Sequence, residues 1–201
     1  GLVLHASYNR VELDRAHNAL EMARAGKKVV IVSSGDPGVF AMASALFEAL
    51  EAMPSYQDMA IEILPGITAM LAASAALGAP LGHDFCAINL SDNLKPFALI
   101  EKRLRLAAQA DFAMAFYNPR SASRPEGFTR VLDILREECS PHQLIMFARN
   151  VSRPDQTLLT VNLQEARGEM ADMRTLVLLG NSQTRRVGPF VYTPRFSTDG
   201  A

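Results

Sequence analysis

The 201-residue chain has no tryptophan, two cysteines and no long apolar run, and each shortage excludes something. Cys86 and Cys139 stand far apart without metal-ligand spacing. No disulfide framework or cysteine-based metal centre is expected, and both cysteines read as small buried hydrophobes of a reducing compartment. No apolar stretch reaches the roughly 20 residues of a membrane span, and the start lacks the charged and apolar regions of a signal peptide. These absences predict a cytoplasmic protein with no membrane partner. A net charge of −1 gives no global excess of either sign, so nucleic acid is not an expected partner and any basic site must be a local cluster. A Walker A loop, a G-x-S-x-G elbow and an H-E-x-x-H helix are all missing. Acyl-enzyme and metal chemistry therefore have no visible basis, no metal is expected, and no general base stands out.

What is present is 49% hydrophobic and 20% charged, enough apolar material for a sizeable core in one or two domains. Ser33-Ser34-Gly35-Asp36-Pro37-Gly38-Val39-Phe40 follows the apolar run Val29-Val30-Ile31-Val32 and precedes a helical pattern. Four β-branched residues predict a strand buried on both faces of a parallel sheet, with the loop at its carboxyl end, where such sheets bind ligands. Gly35 and Gly38 allow close backbone approach, Pro37 stiffens the turn, and Asp36 supplies a carboxylate or a helix cap. A ligand loop and a plain tight turn both fit this spacing.

Elsewhere the pattern alternates strand and helix. Leu2 to Leu4 predicts a strand end, followed by a helix capped at Ser7 or Asn9 that buries Leu13, Ala16, Leu20 and Ala23 and stops at Gly26. Phe40, Ala43, Phe47 and Leu50, widened by Met42 and Leu46, predict a second core-facing stripe. Ile61 to Leu64 predicts a strand ending in Pro65-Gly66-Ile67-Thr68-Ala69, and the alanine-rich stretch to Leu77 predicts a closely packed helix. Gly78 to Gly82 breaks the pattern and marks the expected boundary of two lobes, residues 1–82 and 83–201. Beyond it, strands are expected at Cys86–Leu90, Phe112–Phe116, Leu144–Phe147, Gln156–Val161 and Thr175–Leu179. The third and fourth of these form an antiparallel pair. Intervening helices bury Phe97, Ile100, Leu104 and Ala107, and then Phe128, Val131, Leu132 and Leu135; Asn162 caps a short helix and the tail after Gly188 is irregular.

Several strands thus end in polar or glycine-containing loops, the usual way in which α/β proteins build sites. His83 beside Asp84 suggests a structural or substrate-contact role rather than catalysis. Arg120, Arg124, Arg149 and Arg153 gather near two strand ends. Arginine forks suit carboxylates or phosphates, but taken alone the four read as solvated surface charges.

Gly35-Asp36-Pro37, Pro65-Gly66-Ile67-Thr68-Ala69, Phe116-Tyr117-Asn118-Pro119 and Leu179-Gly180-Asn181, in this order and spacing, resemble the tetrapyrrole methylases, the S-adenosylmethionine-dependent enzymes of corrin and sirohaem synthesis. His83-Asp84-Phe85, Leu90-Ser91-Asp92-Asn93-Leu94 and Tyr117-Asn118-Pro119-Arg120-Ser121 narrow the resemblance to a corrin-forming branch. The resemblance implies a two-lobed α/β methyltransferase, usually a homodimer, with a parallel-sheet N-terminal lobe and a mixed-sheet C-terminal lobe. It implies S-adenosyl-L-methionine as methyl donor and a precorrin as tetrapyrrole substrate. Donor contacts carry over to Gly35, Asp36, Val39, Phe40, Thr68, Ala69, Tyr117, Asn150 and Gly180. The carboxylates of a tetrapyrrole make Arg120 and Arg153 expected substrate contacts, and the resemblance of the Leu90–Leu94 loop adds Asp92 and Asn93. The family opens with a strand and a glycine-rich loop for which this chain shows no counterpart. An incomplete first lobe, weakened donor binding and little turnover are therefore expected.

Overall fold

A computed structural model describes residues 1–5 and 12–196. The chain divides into two compact units, Gly1–Thr68 and Ala69–Ala201.

In the first unit, α1 (Glu12–Arg24) packs on α2 (Met42–Glu51) through Ala16, Leu20, Leu46 and Ala49, with Ile31 and Ile61 partly buried against them. α1 places Glu12 and Asp14 in its first turn and Arg24 in its last, the favourable sense for the helix dipole. It ends at Gly26, whose φ of +83° is left-handed, so Gly26 and Lys27 donate back to Ala23 and Met22. The expected caps Ser7 and Asn9 lie outside the described residues.

Three expected strands are not strands. Leu2–Leu4, Val29–Val32 and Ile61–Leu64 have no ladder partner among the described residues, and Val30 and Val32 are 82% and 87% exposed. An apolar run becomes a strand only where a neighbour accepts its backbone hydrogen bonds. The second stripe also differs. Phe40 takes φ +52°, which delays the helix to Met42 and turns its buried face to Met42, Ala43, Leu46 and Ala49, leaving Phe40 and Phe47 exposed.

The second unit begins with α3 (Ala69–Leu77) and continues through β1 (Gly78–Ala79), β2 (Phe85–Asn89), α4 (Phe97–Gln109), β3 (Ala113–Tyr117), α5 (Gly127–Glu138), β4 (Leu144–Arg149), β5 (Thr157–Asn162), β6 (Thr175–Leu179), β7 (Arg185–Val187) and β8 (Phe190–Tyr192). The main sheet has the order β2-β3-β6-β4-β5. Within this sheet only β2 and β3 run parallel; its other pairs are antiparallel, including the expected pair β4 and β5.

Alternation decides what each strand buries. Met114, Phe116, Ile145, Phe147, Val177 and Leu179 face α4 and α5, joining Ile100, Leu104, Phe128 and Leu135. Their neighbours Ala115, Met146, Ala148, Leu176 and Leu178 face the opposite way, towards Ala73 and Leu77 of α3. A strand covered on both faces reads as a continuous apolar run, which is why β3, β4 and β6 were legible.

Gly78 to Gly82 does break the helix, but the units divide earlier, at Thr68/Ala69. The cause is packing. α3 covers the main sheet, and β1 pairs in parallel with β8. Gly78 is required there: its φ is +128°, and a Cβ would stand 2.6 Å from the Val191 carbonyl oxygen. The tail expected to be irregular instead forms the β7–β8 hairpin around Gly188, and buried Thr193 donates from Oγ1 to the Pro80 carbonyl at 2.6 Å.

Phe128 is fully buried and meets Phe147 edge-on at 6.1 Å. Phe128→Ala is expected to cost about 3–5 kcal/mol, read as a lower urea midpoint at unchanged m-value.

Candidate functional site at the strand ends

In the first unit the site loop is stitched by Asp36. One carboxylate oxygen accepts from the Gly38 N–H at 2.8 Å and the other from the Gly66 N–H at 3.0 Å, so one side chain joins loops thirty residues apart. Asp36 is not the cap of α2, whose N-cap is Ala41. Gly35 has φ +73°, and Gly66 passes so near the Gly35 carbonyl that a Cβ at residue 66 would overlap it. The Gly66 bond, then the Gly38 bond, holds the Asp36 carboxyl below its ordinary pKa, because both stabilise the ionised form. Val39 is half-buried, Phe40 exposed and Thr68 buried.

In the second unit, register fixes which loops meet. Phe116 lies opposite Val177, which lies opposite Phe147. The carboxyl ends of β2, β3 and β4 therefore share one edge of the sheet with the amino end of β6. Tyr117 and Asn150 stand on that edge. The Tyr117 hydroxyl accepts from the Met70 N–H at 3.0 Å, holding the first turn of α3 beside Ala69. Asn150 is buried at φ +49°; its N–H donates to the Arg174 carbonyl at 3.0 Å and its Nδ2 to Asp155 at 2.6 Å.

Gly180 is not brought to this edge. β6 runs opposite to β3, so five residues at about 3.3 Å each carry Gly180 roughly 16 Å from the Thr175 end. There it is packed: a Cβ would overlap the Thr184 side chain, its N–H donates to Leu144, and its carbonyl accepts from Gln143. His83 and Asp84 also precede the amino end of β2, away from Tyr117. Asp172, Met173 and Arg174, which sequence reasoning passed over, take the place next to Asn150. Only strand direction could have revealed them, since nothing in Asp-Met-Arg-Thr is distinctive.

The four arginines separate. Arg149 pairs with Asp172 at 2.9 Å. Burial tends to raise the Asp172 pKa, but Thr175, Arg149 and the Arg174 N–H outweigh it and leave the carboxyl lowered. Arg153 is exposed on the turn closed by its N–H to the Asn150 carbonyl. Arg120 donates from Nε to the Pro125 carbonyl at 2.9 Å and lines an open depression of about 370 Å³ with Ser121, Pro125, Met173 and Arg174. Arg124 points inward, within reach of the Leu90 and Asn118 carbonyls and Asp92, while Asp92 and Asn93 remain exposed. Among the described residues no His, Cys, Asp and Glu group is arranged to hold a metal ion, and no helix is long and apolar enough to cross a membrane.

A mixed sheet covered by helices, with polar loops gathered at one edge, defines an α/β protein of the kind that binds ligands at strand ends. The family described as Tetrapyrrole (Corrin/Porphyrin) Methylases matches residues 7–167, and the chain belongs to it. A precorrin-3B C(17)-methyltransferase of Sinorhizobium sp is 50% identical over 197 residues, covering 95% of this chain and 78% of that protein. A probable cobalt-factor III C(17)-methyltransferase of Salmonella typhimurium is 38% identical over 184 residues, covering 92% and 76%. The crystal structure of the methyltransferase CobJ superimposes with a TM-score of 0.95 at 73% identity, covering 96% of this chain and 81% of that one. The chain is thus a methyltransferase of the tetrapyrrole type.

The depressed Asp36 pKa gives a signed expectation. Its stabilising effect is complete at neutral pH and is lost as pH falls below the ordinary aspartate value of about 3.9 and through the lower folded value. Thermal midpoints of the parent and Asp36→Asn should differ at pH 7 and converge below about pH 4. A gap of constant size across that range would contradict the assignment.

Proposed function

We propose that the chain methylates C17 of precorrin-3B, with ring contraction to precorrin-4, using S-adenosyl-L-methionine in cobalamin synthesis. The observation that carries this choice of substrate is the contrast in identity, 50% to the precorrin-3B enzyme against 38% to a cobalt-factor III relative. When bound, the donor supplies a sulfonium methyl group for in-line displacement at carbon. The protein's work is then to align donor and acceptor and to exclude water. The first unit is suited to the donor. Each oxygen of the Asp36 carboxylate accepts one backbone N–H and keeps capacity for another donor, such as a ribose hydroxyl or an ammonium group. Gly35, Asp36, Val39, Phe40 and Thr68 are its proposed contacts in that unit; for the second unit, taken by itself, the family resemblance proposes Ala69, Tyr117 and Asn150. The position of Gly180 at the other sheet edge speaks against including it. Asp92, Asn93, Arg120 and Arg153 are the proposed substrate contacts, where guanidinium forks would hold carboxylates. A cytoplasmic homodimer is the proposed form.

Calorimetric titration with S-adenosylhomocysteine, paired with methyl transfer to precorrin-3B and to cobalt-factor III, tests the reading. Weak but measurable binding, and slow turnover of precorrin-3B in preference to cobalt-factor III, are expected, in line with the weakened donor binding read from the sequence. Preference for the cobalt substrate would favour the second relative's chemistry, and neither binding nor turnover would overturn the donor assignment. Arg120→Ala should raise the precorrin-3B KM about tenfold while leaving donor affinity nearly unchanged, because an anchor on a distant carboxylate binds ground and transition states alike.

A further inference from the structure

We propose that Arg124 is a positioning residue: it locks the loops after β2 and β3 together and thereby presents Asp92 and the Leu90–Lys95 segment to the tetrapyrrole. The inference rests on the functional reading above, and it separates Arg124 from the arginines that would meet the substrate directly.

The side chain of Arg124 is only 13% exposed, low for an arginine on a loop. Its three nitrogens address three acceptors. Nη1 donates to the Leu90 carbonyl at 3.2 Å, Nη2 to the Asn118 carbonyl at 3.4 Å, and Nε lies 3.5 Å from Asp92 Oδ1. Leu90 and Asn118 each follow the last paired residues of two parallel strands, Asn89 and Tyr117. The guanidinium therefore caps the two chains just where their ladder runs out. A second layer braces the same point: Asn118 at φ +52° donates from Nδ2 to Asn89 Oδ1 at 3.1 Å, and that oxygen also accepts the Ser91 N–H at 2.9 Å.

A planar fork can satisfy acceptors in three directions, whereas a lysine ammonium on a flexible stem would hold at most part of this set. With its charge opposed by Arg124, Asp92 keeps one fixed side and stays accessible on the other, its side chain being 39% exposed. The loop so held projects Leu94, which is fully exposed, beside Asp92 and Asn93. An apolar tip flanked by polar groups is suited to a macrocycle with a flat apolar body and a polar rim. Burial, then Arg103 and Arg124, lowers the Lys95 pKa against the pull of Asp92, in keeping with a crowded cationic patch behind the loop.

The test compares Arg124→Lys, Arg124→Ala, Asp92→Asn and the double variant Arg124→Lys/Asp92→Asn with the parent. Precorrin-3B kinetics and S-adenosylhomocysteine calorimetry are run in parallel. Expected for Arg124→Lys is a precorrin-3B KM raised about tenfold, kcat within about twofold and donor affinity unchanged. The double variant should be no worse than Arg124→Lys alone, since Asp92 acts only when held. A KM that stays at the parental value, equal losses in donor and tetrapyrrole affinity, or additive effects in the double variant would each overturn the inference. If Arg124→Ala does not fold, Arg124→Lys and Asp92→Asn still give the answer. Failure of the functional reading shows in the parent itself, which then binds no S-adenosylhomocysteine and transfers no methyl group; failure of the present inference shows only in the variants.

Discussion

The second unit depends on one constraint, that β3, β6 and β4 are buried on both faces at once. Each strand sends alternate residues to α4 and α5 on one side and to α3 on the other, so no position along it can be polar until the strand ends. Polarity is thereby driven to the edges of the sheet. A one-residue slip would exchange the two faces, and in β3 it would place Ala115 where α4 and α5 meet Phe116, and Phe116 where α3 meets Ala115. The same constraint that makes the core also fixes which loops can carry ligand groups.

Strand direction then chooses among those loops. β6 is inserted antiparallel between β3 and β4, so its carboxyl end leaves the edge on which Tyr117 and Asn150 stand, and its amino end arrives there. Asp172 and Arg174 owe their place to that reversal. Their bonds to Arg149 and Asn150 tie the β4 and β6 loops as Arg124 ties those of β2 and β3. The edge is thus a chain of polar cross-links over an apolar slab, each bond made at or just beyond the last ladder pair.

What the sequence made legible follows from locality. The apolar runs of β3, β4 and β6 and the stripe Phe128, Val131, Leu132 and Leu135 are decided by neighbours a few positions away, and they stand where expected. Val29 to Val32 has the same local character and is not a strand, because pairing is a property of the partner as much as of the run. Phe40 shows a smaller version of the same limit: its place in a helical period is local, but its positive φ belongs to the turn that Gly35 and Asp36 impose. The β7–β8 hairpin was illegible because its short strands are held by Gly78 and Thr193, residues drawn from both ends of the second unit.

The arginines carry this argument to the chemistry. In sequence Arg120, Arg124, Arg149 and Arg153 are four equivalent charges near strand ends, and only their partners distinguish them. Arg149 is spent on Asp172 and Arg124 on two carbonyls and Asp92, both ties internal to the protein. Among the described residues Arg120 has one internal bond, to a carbonyl, and otherwise faces the open depression beside Arg174. A guanidinium whose charge is met by a carboxylate within the fold has little left for a ligand, while one held by a neutral carbonyl keeps its full charge and is oriented as well. By that criterion a cation fit to meet a substrate carboxylate is one the fold orients without neutralising. Arg120 meets it, and Arg124 and Arg149 do not.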